Sequence, residues 1–345
     1  LQPSEDKLAG GEAGPGDEAL PANSTNPRLW WLRFFCLALI VLPLAGLAGA
    51  VLLAKSSWFE RRAVPPYLQM LDAESDIHGR ACEVLLFGDS TALTGLMPWV
   101  VQEQSGLTTC SVAQTKGEVG VLGTEFLDQY LRQNPRPRFL VIALAPEDWR
   151  PFHQWSDVAY VEGVLQMVRH DSARRYLGEL VRHPNEAFGF ATYVYKSAFD
   201  ALAGRTAWKE GTTAGLREGH RTLPSPAETE CVMRNVTGNG AKPQPLYAPD
   251  ADYMRGLRKH FAAGGDGIET RVLLVVSPVP ECDPQWEWYA ARLNGETDNR
   301  LELYPIGQFN DIDRHFTDEG AERYSRAVGE MIRKLAGAPA GGAVK

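Results

Sequence analysis

Hydrophobic and polar positions alternate on two scales along this chain. The longest apolar run, "FFCLALIVLPLAGLAGAVLLA" from Phe34 to Ala54, carries no charge and matches the roughly 20 apolar residues a helix needs to cross a bilayer. Trp30 and Trp31 on one side and Trp58 on the other stand where interfacial aromatics anchor such helices, and Pro43 is tolerated inside a membrane span. The stretch 29–55 therefore reads as a transmembrane anchor. A cleaved signal peptide would place a short apolar core close to the start, whereas this run follows a polar leader, which predicts a retained anchor. The leader, 1–28, is rich in Gly, Pro, Ala and acidic residues and buries too little apolar surface to fold, so a disordered cytoplasmic tail is expected.

Beyond a linker over 56–79 the period shortens. "CEVLLFG", "LTTCSVA", "RFLVIALA", "RVLLVVS" and "RLELYPI" read as strands. "LMPWVVQEQSG", "GVLGTEFLDQYLRQN", "DYMRGLRKHFAAGG", "PQWEWYAARLNG" and "TDEGAERYSRAVGEMIRKLA" read as helices, with Gly106 and Asn134-Pro135 as stops. Strands separated by helices imply right-handed crossovers and a parallel sheet. The expectation is an α/β domain over 80–337, a three-layer sandwich around a five-stranded, mostly parallel sheet, followed by a flexible end at 338–345. An insertion over 150–250 interrupts it, helical in its first half ("VEGVLQMVRHDSARRYLGELVRH") and rich in Gly, Pro and Thr in its second. Such an excursion is expected to be a cap or a partner-binding surface.

Charge removes one class of partner. The 345 residues are 44% hydrophobic with a net charge of -8 and no Lys/Arg-rich run, which argues against nucleic acid, because phosphate binding needs a clustered basic face. Lys7, Arg28 and Arg33 before the span are balanced by Lys55, Arg61 and Arg62 after it, so the positive-inside count leaves orientation open. Cys36 falls in the span, while Cys82, Cys110, Cys231 and Cys282 fall in the distal domain, an even number that suits an oxidising compartment. Cys231 with Cys282 is the expected pair and Cys82 with Cys110 a second; four free thiols are the alternative that spacing leaves open.

Two short stretches carry candidate chemistry. Gly88-Asp89-Ser90 ends the first strand, where a doubly wound sheet presents its working residues, although all three are also common turn formers. Ala92 stands where the G-x-S-x-G elbow has its second glycine. "FNDIDRHFTDEGAERYS" puts Asp313 and His315 just before the last helix, two apart, so in extended backbone the carboxylate can orient the imidazole. Thr317 is the expected N-cap, with Asp318 and Glu319 in the first turn. Trp286, Trp288 and Tyr289 can stack on a sugar ring or form the buried face of a helix. His153, His170, His183 and His220 lack metal-ligand spacing, and no metal or other cofactor is expected.

From Glu83 to Leu335 the chain resembles the SGNH or GDSL hydrolase superfamily: "FGDS" resembles its nucleophile block and "DIDRH" its closing Asp/His block. The resemblance implies Ser90 as nucleophile and His315 as base, with Asp313 as the acid beside it. It also implies that Gly117, in "SVAQTKGEVG", lends its backbone N–H, with that of Ser90 or its neighbour, to an oxyanion hole, and that Asp89 is a further oxyanion or binding residue. Two departures stand out. Family members commonly carry an Asn after the third strand, where this chain reads "LAPEDW", and a carboxylate from Glu147 or Asp148 there would repel a developing oxyanion. The acid usually stands three before the histidine, but Ile312 occupies that position, leaving Asp313 or Asp311.

Both departures are similar to membrane-anchored, alginate O-acetyltransferase-like members that modify extracellular polysaccharides. What this implies is a serine acyltransferase or esterase acting on O-acyl groups of an exported polysaccharide. It would be held in the inner membrane by a single span, with its domain in the periplasm and a membrane-bound partner delivering the acyl group. The alternative from another class is a non-catalytic assembly factor that keeps the fold and docks other proteins through the insertion.

Overall fold

The structure is a computed structural model that describes residues 27–64, 77–114, 125–151, 158–170, 178, 181, 184–205, 216–222, 227, 248–262, 269–310 and 314–337. It divides into two compact units, Leu1–Gly46 and Leu47–Lys345. In the first, the described residues belong to helix α1 (Pro27–Ala54), and Trp30, Trp31, Phe34 and Phe35 are exposed along it. Within α1, Trp30–Ala54 is long and apolar enough to cross a membrane.

The second unit begins with the end of α1, where Ala50 and Ala54 are fully buried. The expected linker opens as a helix, α2 (Ser57–Ala63), because Ser56 caps it by accepting a hydrogen bond from Phe59 N at 3.2 Å and Phe59 and Ala63 are buried beneath it. Strand β1 (Val84–Gly88) then leads into the short helix α3 (Ser90–Gly95), followed by α4 (Pro98–Ser105), β2 (Thr109–Ser111), α5 (Glu125–Gln133) and β3 (Phe139–Leu144). Pro98 starts α4 and Gly106, left-handed at φ 76°, ends it. The insertion contributes α6 (Val158–His170), α7 (Pro184–Leu202) and a hairpin of β4 (Leu216–Arg217) and β5 (His220–Arg221). Helix α8 (Ala251–Ala262), β6 (Arg271–Val276), β7 (Val279–Pro280), α9 (Trp286–Leu293), β8 (Leu303–Tyr304) and α10 (Asp318–Ala336) complete the order.

The main sheet is parallel, with strand order β2-β1-β3-β6. β1 and β3 are apolar throughout and buried at every position, as strands covered by helices on both faces must be. The direction of travel reverses between β1→β2 and β2→β3, so right-handed crossovers place α4 and α5 on opposite faces. α10 packs along α4, with Ser325 Oγ accepting from Met97 N at 2.8 Å, and α8 meets α5 through His260 and Asp128 at 2.8 Å. The same reversal makes the carboxyl end of β1 the switch point, where an open α/β sheet leaves its crevice.

The fifth expected strand does not join this sheet. Leu303–Tyr304 pairs instead with Val279–Pro280, in parallel, as a separate two-stranded sheet. Pro280 and Pro305 explain how short it is, since neither can donate to a ladder.

Cys82 and Cys110 form a disulfide from just before β1 to its neighbour β2, with Cα atoms 5.9 Å apart. Cys282 is also disulfide-bonded, and its expected partner Cys231 lies outside the described residues. The sequence separation of 28 makes the Cys82–Cys110 bridge a medium-length loop closure, so its loss is expected to lower stability by about 3–4 kcal/mol. Urea unfolding of Cys82→Ala/Cys110→Ala against the parent measures it; an unchanged midpoint would mean the bridge does not form in the native protein.

Candidate functional site

Between Val84 and Pro98, Ser90 alone is not buried but half-buried. The reason lies in its neighbours. Asp89 is almost fully buried and caps α3, one carboxylate oxygen accepting from Thr91 N at 2.8 Å and Thr91 Oγ1 at 2.7 Å. Its other oxygen accepts from Ala145 N at 2.8 Å, just past the end of β3. Thr91 Oγ1 also lies 2.7 Å from Ser277 Oγ, just past the end of β6. The turn after β1 is thus tied to the ends of two neighbouring strands, and Ser90, first residue of α3, is held at their mouth. Gly88 permits the close approach: a Cβ there would overlap the Ala143 carbonyl. Asp89, considered above as an oxyanion or binding group, has both oxygens engaged and acts as the positioning group for this turn.

His315 comes from the other end of the chain to an adjoining element. It is half-buried between two buried residues, Arg314 and Phe316, directly before α10. Phe316 lies against Gly95 at the far end of α3, close enough that a Cβ on Gly95 would strike its ring. Ser325 Oγ donates to Gly95 O at 3.2 Å, and Thr317 caps α10 by accepting from Gly320 N at 3.3 Å. The segment is further pinned by Asn310 N donating to His315 O at 2.7 Å. Ser90 and His315 therefore lie on neighbouring elements at the carboxyl end of the sheet. Asp313 and its rival Asp311 lie outside the described residues, as does Gly117.

The guanidinium of Arg314 reaches back under this loop. It pairs with Glu147, in the turn Pro146–Asp148 after β3, and with Asp283 at 2.8 Å. The Arg314 side chain is 8% exposed and Asp283 is wholly enclosed. Burial works against the charged guanidinium, but Glu147 and Asp283 outweigh it and hold its pKa above the ordinary value. Arg314 has a left-handed backbone, φ 66°, a conformation that costs a non-glycine residue roughly 1–2 kcal/mol. Glu147, whose carboxylate looked hostile to an oxyanion, thus carries its own counter-charge.

No family model, curated protein or solved structure matches the chain. Tyr289 is buried beside Glu147, Arg314 and Asp283, and burial first, then Glu147, pushes its hydroxyl pKa upward. It presents no open ring to a polymer, which corrects the stacking role considered for it. Trp288 is half-buried with the Arg292 guanidinium 3.9 Å above its ring centroid, and Trp286 is half-buried against the core. Among the described residues no cluster of His, Cys, Asp and Glu is arranged to hold a metal.

The insertion returns to the rim of this site through the β4–β5 hairpin. Ser111 Oγ, at the end of β2, donates to Gly219 O at 2.9 Å, and Thr222 Oγ1 donates to Asp318 at 3.0 Å in the first turn of α10. His220 is buried edge-on to Trp99, ring centroids 5.4 Å apart. Burial pushes its pKa down to about 4, against smaller upward pulls from Asp318 and the carbonyls of Leu96 and Leu93. An unfolded histidine titrates near 6.5, so between pH 6.5 and 4 the unfolded chain binds the extra proton. Stability is fully present above that window and falls as pH drops through it, by at most about 3 kcal/mol. Urea unfolding across the window checks this, with His220→Gln expected to flatten the slope; an equal slope in both proteins would assign the effect to other groups.

Proposed function

We propose that the protein is a membrane-anchored serine acyltransferase or esterase of SGNH type, acting outside the cytoplasm on O-acyl groups of an exported polysaccharide. The observation that carries this reading is Ser90, the half-buried residue of an otherwise buried turn at the switch point of a parallel sheet, with His315 on the adjoining loop. Ser90 Oγ attacks the ester carbonyl and its proton passes to His315. The imidazolium then protonates the departing alkoxide, leaving an acyl-enzyme. A sugar hydroxyl or a water, deprotonated by His315, attacks that acyl group and releases Ser90.

The Cys82–Cys110 bridge supports an oxidising compartment, and the apolar helix Trp30–Ala54 supports an anchor that leaves the domain on the periplasmic side of the inner membrane. A membrane-bound partner that delivers the acyl group follows if the donor is made in the cytoplasm. The Glu147–Arg314 pair bears on the non-catalytic alternative, because the carboxylate that argued for lost activity is neutralised beside the site.

The test is acetyl release from p-nitrophenyl acetate with and without an oligosaccharide acceptor. A transferase is expected to move acetyl to the sugar, an esterase only to water, and an assembly factor does neither. In the same assay Asp313→Asn is expected to reduce turnover far more than Asp311→Asn, since Asp313 stands only two residues before His315, although left-handed Arg314 interrupts the extended backbone expected between them. The reverse order would reassign the acid.

A further inference from the structure

Helix α7 presents three faces. Phe190, Val194 and Ala198 are buried toward the domain, and Lys196 and Asp200 form a 2.9 Å ion pair on one flank. On the remaining face Phe188, Phe199 and Leu202 are exposed, Phe199 by 59% and Leu202 by 75%, and Tyr195 lies among them with its hydroxyl turned to α1. At 3.6 residues per turn these four fall within a sector of roughly 60°. Phe188, Phe199 and Leu202 are the open part of this stripe.

What covers it is indicated by the place where α7 is docked. The Tyr195 hydroxyl lies so close to Gly49 that a Cβ on that glycine would collide with it. Gly49 belongs to the apolar stretch Trp30–Ala54, and its height along α1 is about 7.5 Å short of Ala54 at 1.5 Å per residue. Helices that lie in a membrane interface sink their apolar face roughly 5–10 Å into the headgroup and acyl boundary. The guanidinium of Arg205 sits 5.4 Å from the Phe199 ring centroid, so the stripe ends in a cation placed to meet lipid phosphates.

We propose that α7 is a second membrane contact, docked on α1 through Tyr195, with its Phe188, Phe199 and Leu202 face lying in the interface of the leaflet from which α1 emerges. The inference rests on Trp30–Ala54 crossing a bilayer. A single span can tilt in the bilayer and carry the domain with it. A helix in the interface beside it removes that freedom and fixes the height of the domain above the lipid.

The full chain in lipid nanodiscs tests this with an environment-sensitive fluorophore on single cysteines. Cys36, the free cysteine of the span, is labelled in the parent; Phe199→Cys, Leu202→Cys and Lys196→Cys are labelled in a Cys36→Ser background. The labels at 199 and 202 are expected to be quenched by nitroxide lipids and to lose quenching by aqueous iodide, with the label at 196 behaving oppositely. If 199 and 202 are quenched by iodide while Cys36 is protected, the span is in the bilayer and α7 is not, and the inference falls alone. Protection of 199 and 202 from both quenchers would assign the face to a protein partner and overturn it. Iodide quenching at Cys36 would remove the span itself and the inference with it.

Discussion

Replacing Ser90 by alanine is expected to lower acyl-ester turnover by about 10⁴-fold or more while leaving the fold in place. The loss is large because the covalent route disappears with Oγ. The fold survives because the neighbours of Ser90 carry the structure. Asp89 still bridges Thr91 and Ala145, Thr91 still meets Ser277, and Ser90 itself is only half-buried. Stability is expected to stay within about 0.5 kcal/mol of the parent, as for other substitutions away from packed or paired groups. Turnover near the parent level in a folded Ser90→Ala protein would place the chemistry elsewhere.

Arg314→Met is expected to cost about 3–5 kcal/mol of stability, because it leaves a buried carboxylate without its counter-charge. The burden falls on Asp283, which is wholly enclosed, since Glu147 at 29% side-chain exposure can turn toward water. Gln285 N still donates to Asp283 at 2.8 Å, a hydrogen bond that softens the loss. The double variant Arg314→Met/Asp283→Leu removes both charges and is expected to recover part of the stability. Its turnover is expected to remain low, because the clamp that seats His315 against the turn after β3 is gone. Urea midpoints separate these effects from turnover. An Arg314→Met protein as stable as the parent would mean the three side chains do not meet in a closed cluster.

Much of this arrangement is legible in the pattern of residues, for reasons that are local. β1 and β3 announce themselves as unbroken apolar runs, and α10 by its cap at Thr317 and by acidic residues in its first turn. Gly88-Asp89-Ser90 is readable as a strand-ending turn because small polar residues follow an apolar run. That the middle residue would be buried and the last one half-buried is a matter of packing, set by Ala145 and Ser277 from distant parts of the chain.

The remainder depends on contacts between segments far apart in sequence. Nothing local distinguishes Arg314 from an ordinary polar loop residue. Its role follows from Glu147 and Asp283, and the one clue available was that a carboxylate after β3 called for a nearby cation. Leu303–Tyr304 has strand composition, yet the prolines around it and the position of β7 decide which neighbour it takes. Helix α7 escaped periodicity because two of its faces are apolar, one turned to the domain and one to the outside, so no single amphipathic stripe emerges.

The central claim is that Ser90 is an activated nucleophile, and covalent trapping tests it most directly. The folded protein is incubated with a fluorophosphonate and the adduct is located by peptide mass spectrometry. The prediction is one adduct on the peptide that contains Ser90, absent in Ser90→Ala and strongly reduced in His315→Ala. No adduct on folded protein, or an adduct on a different residue, would contradict it.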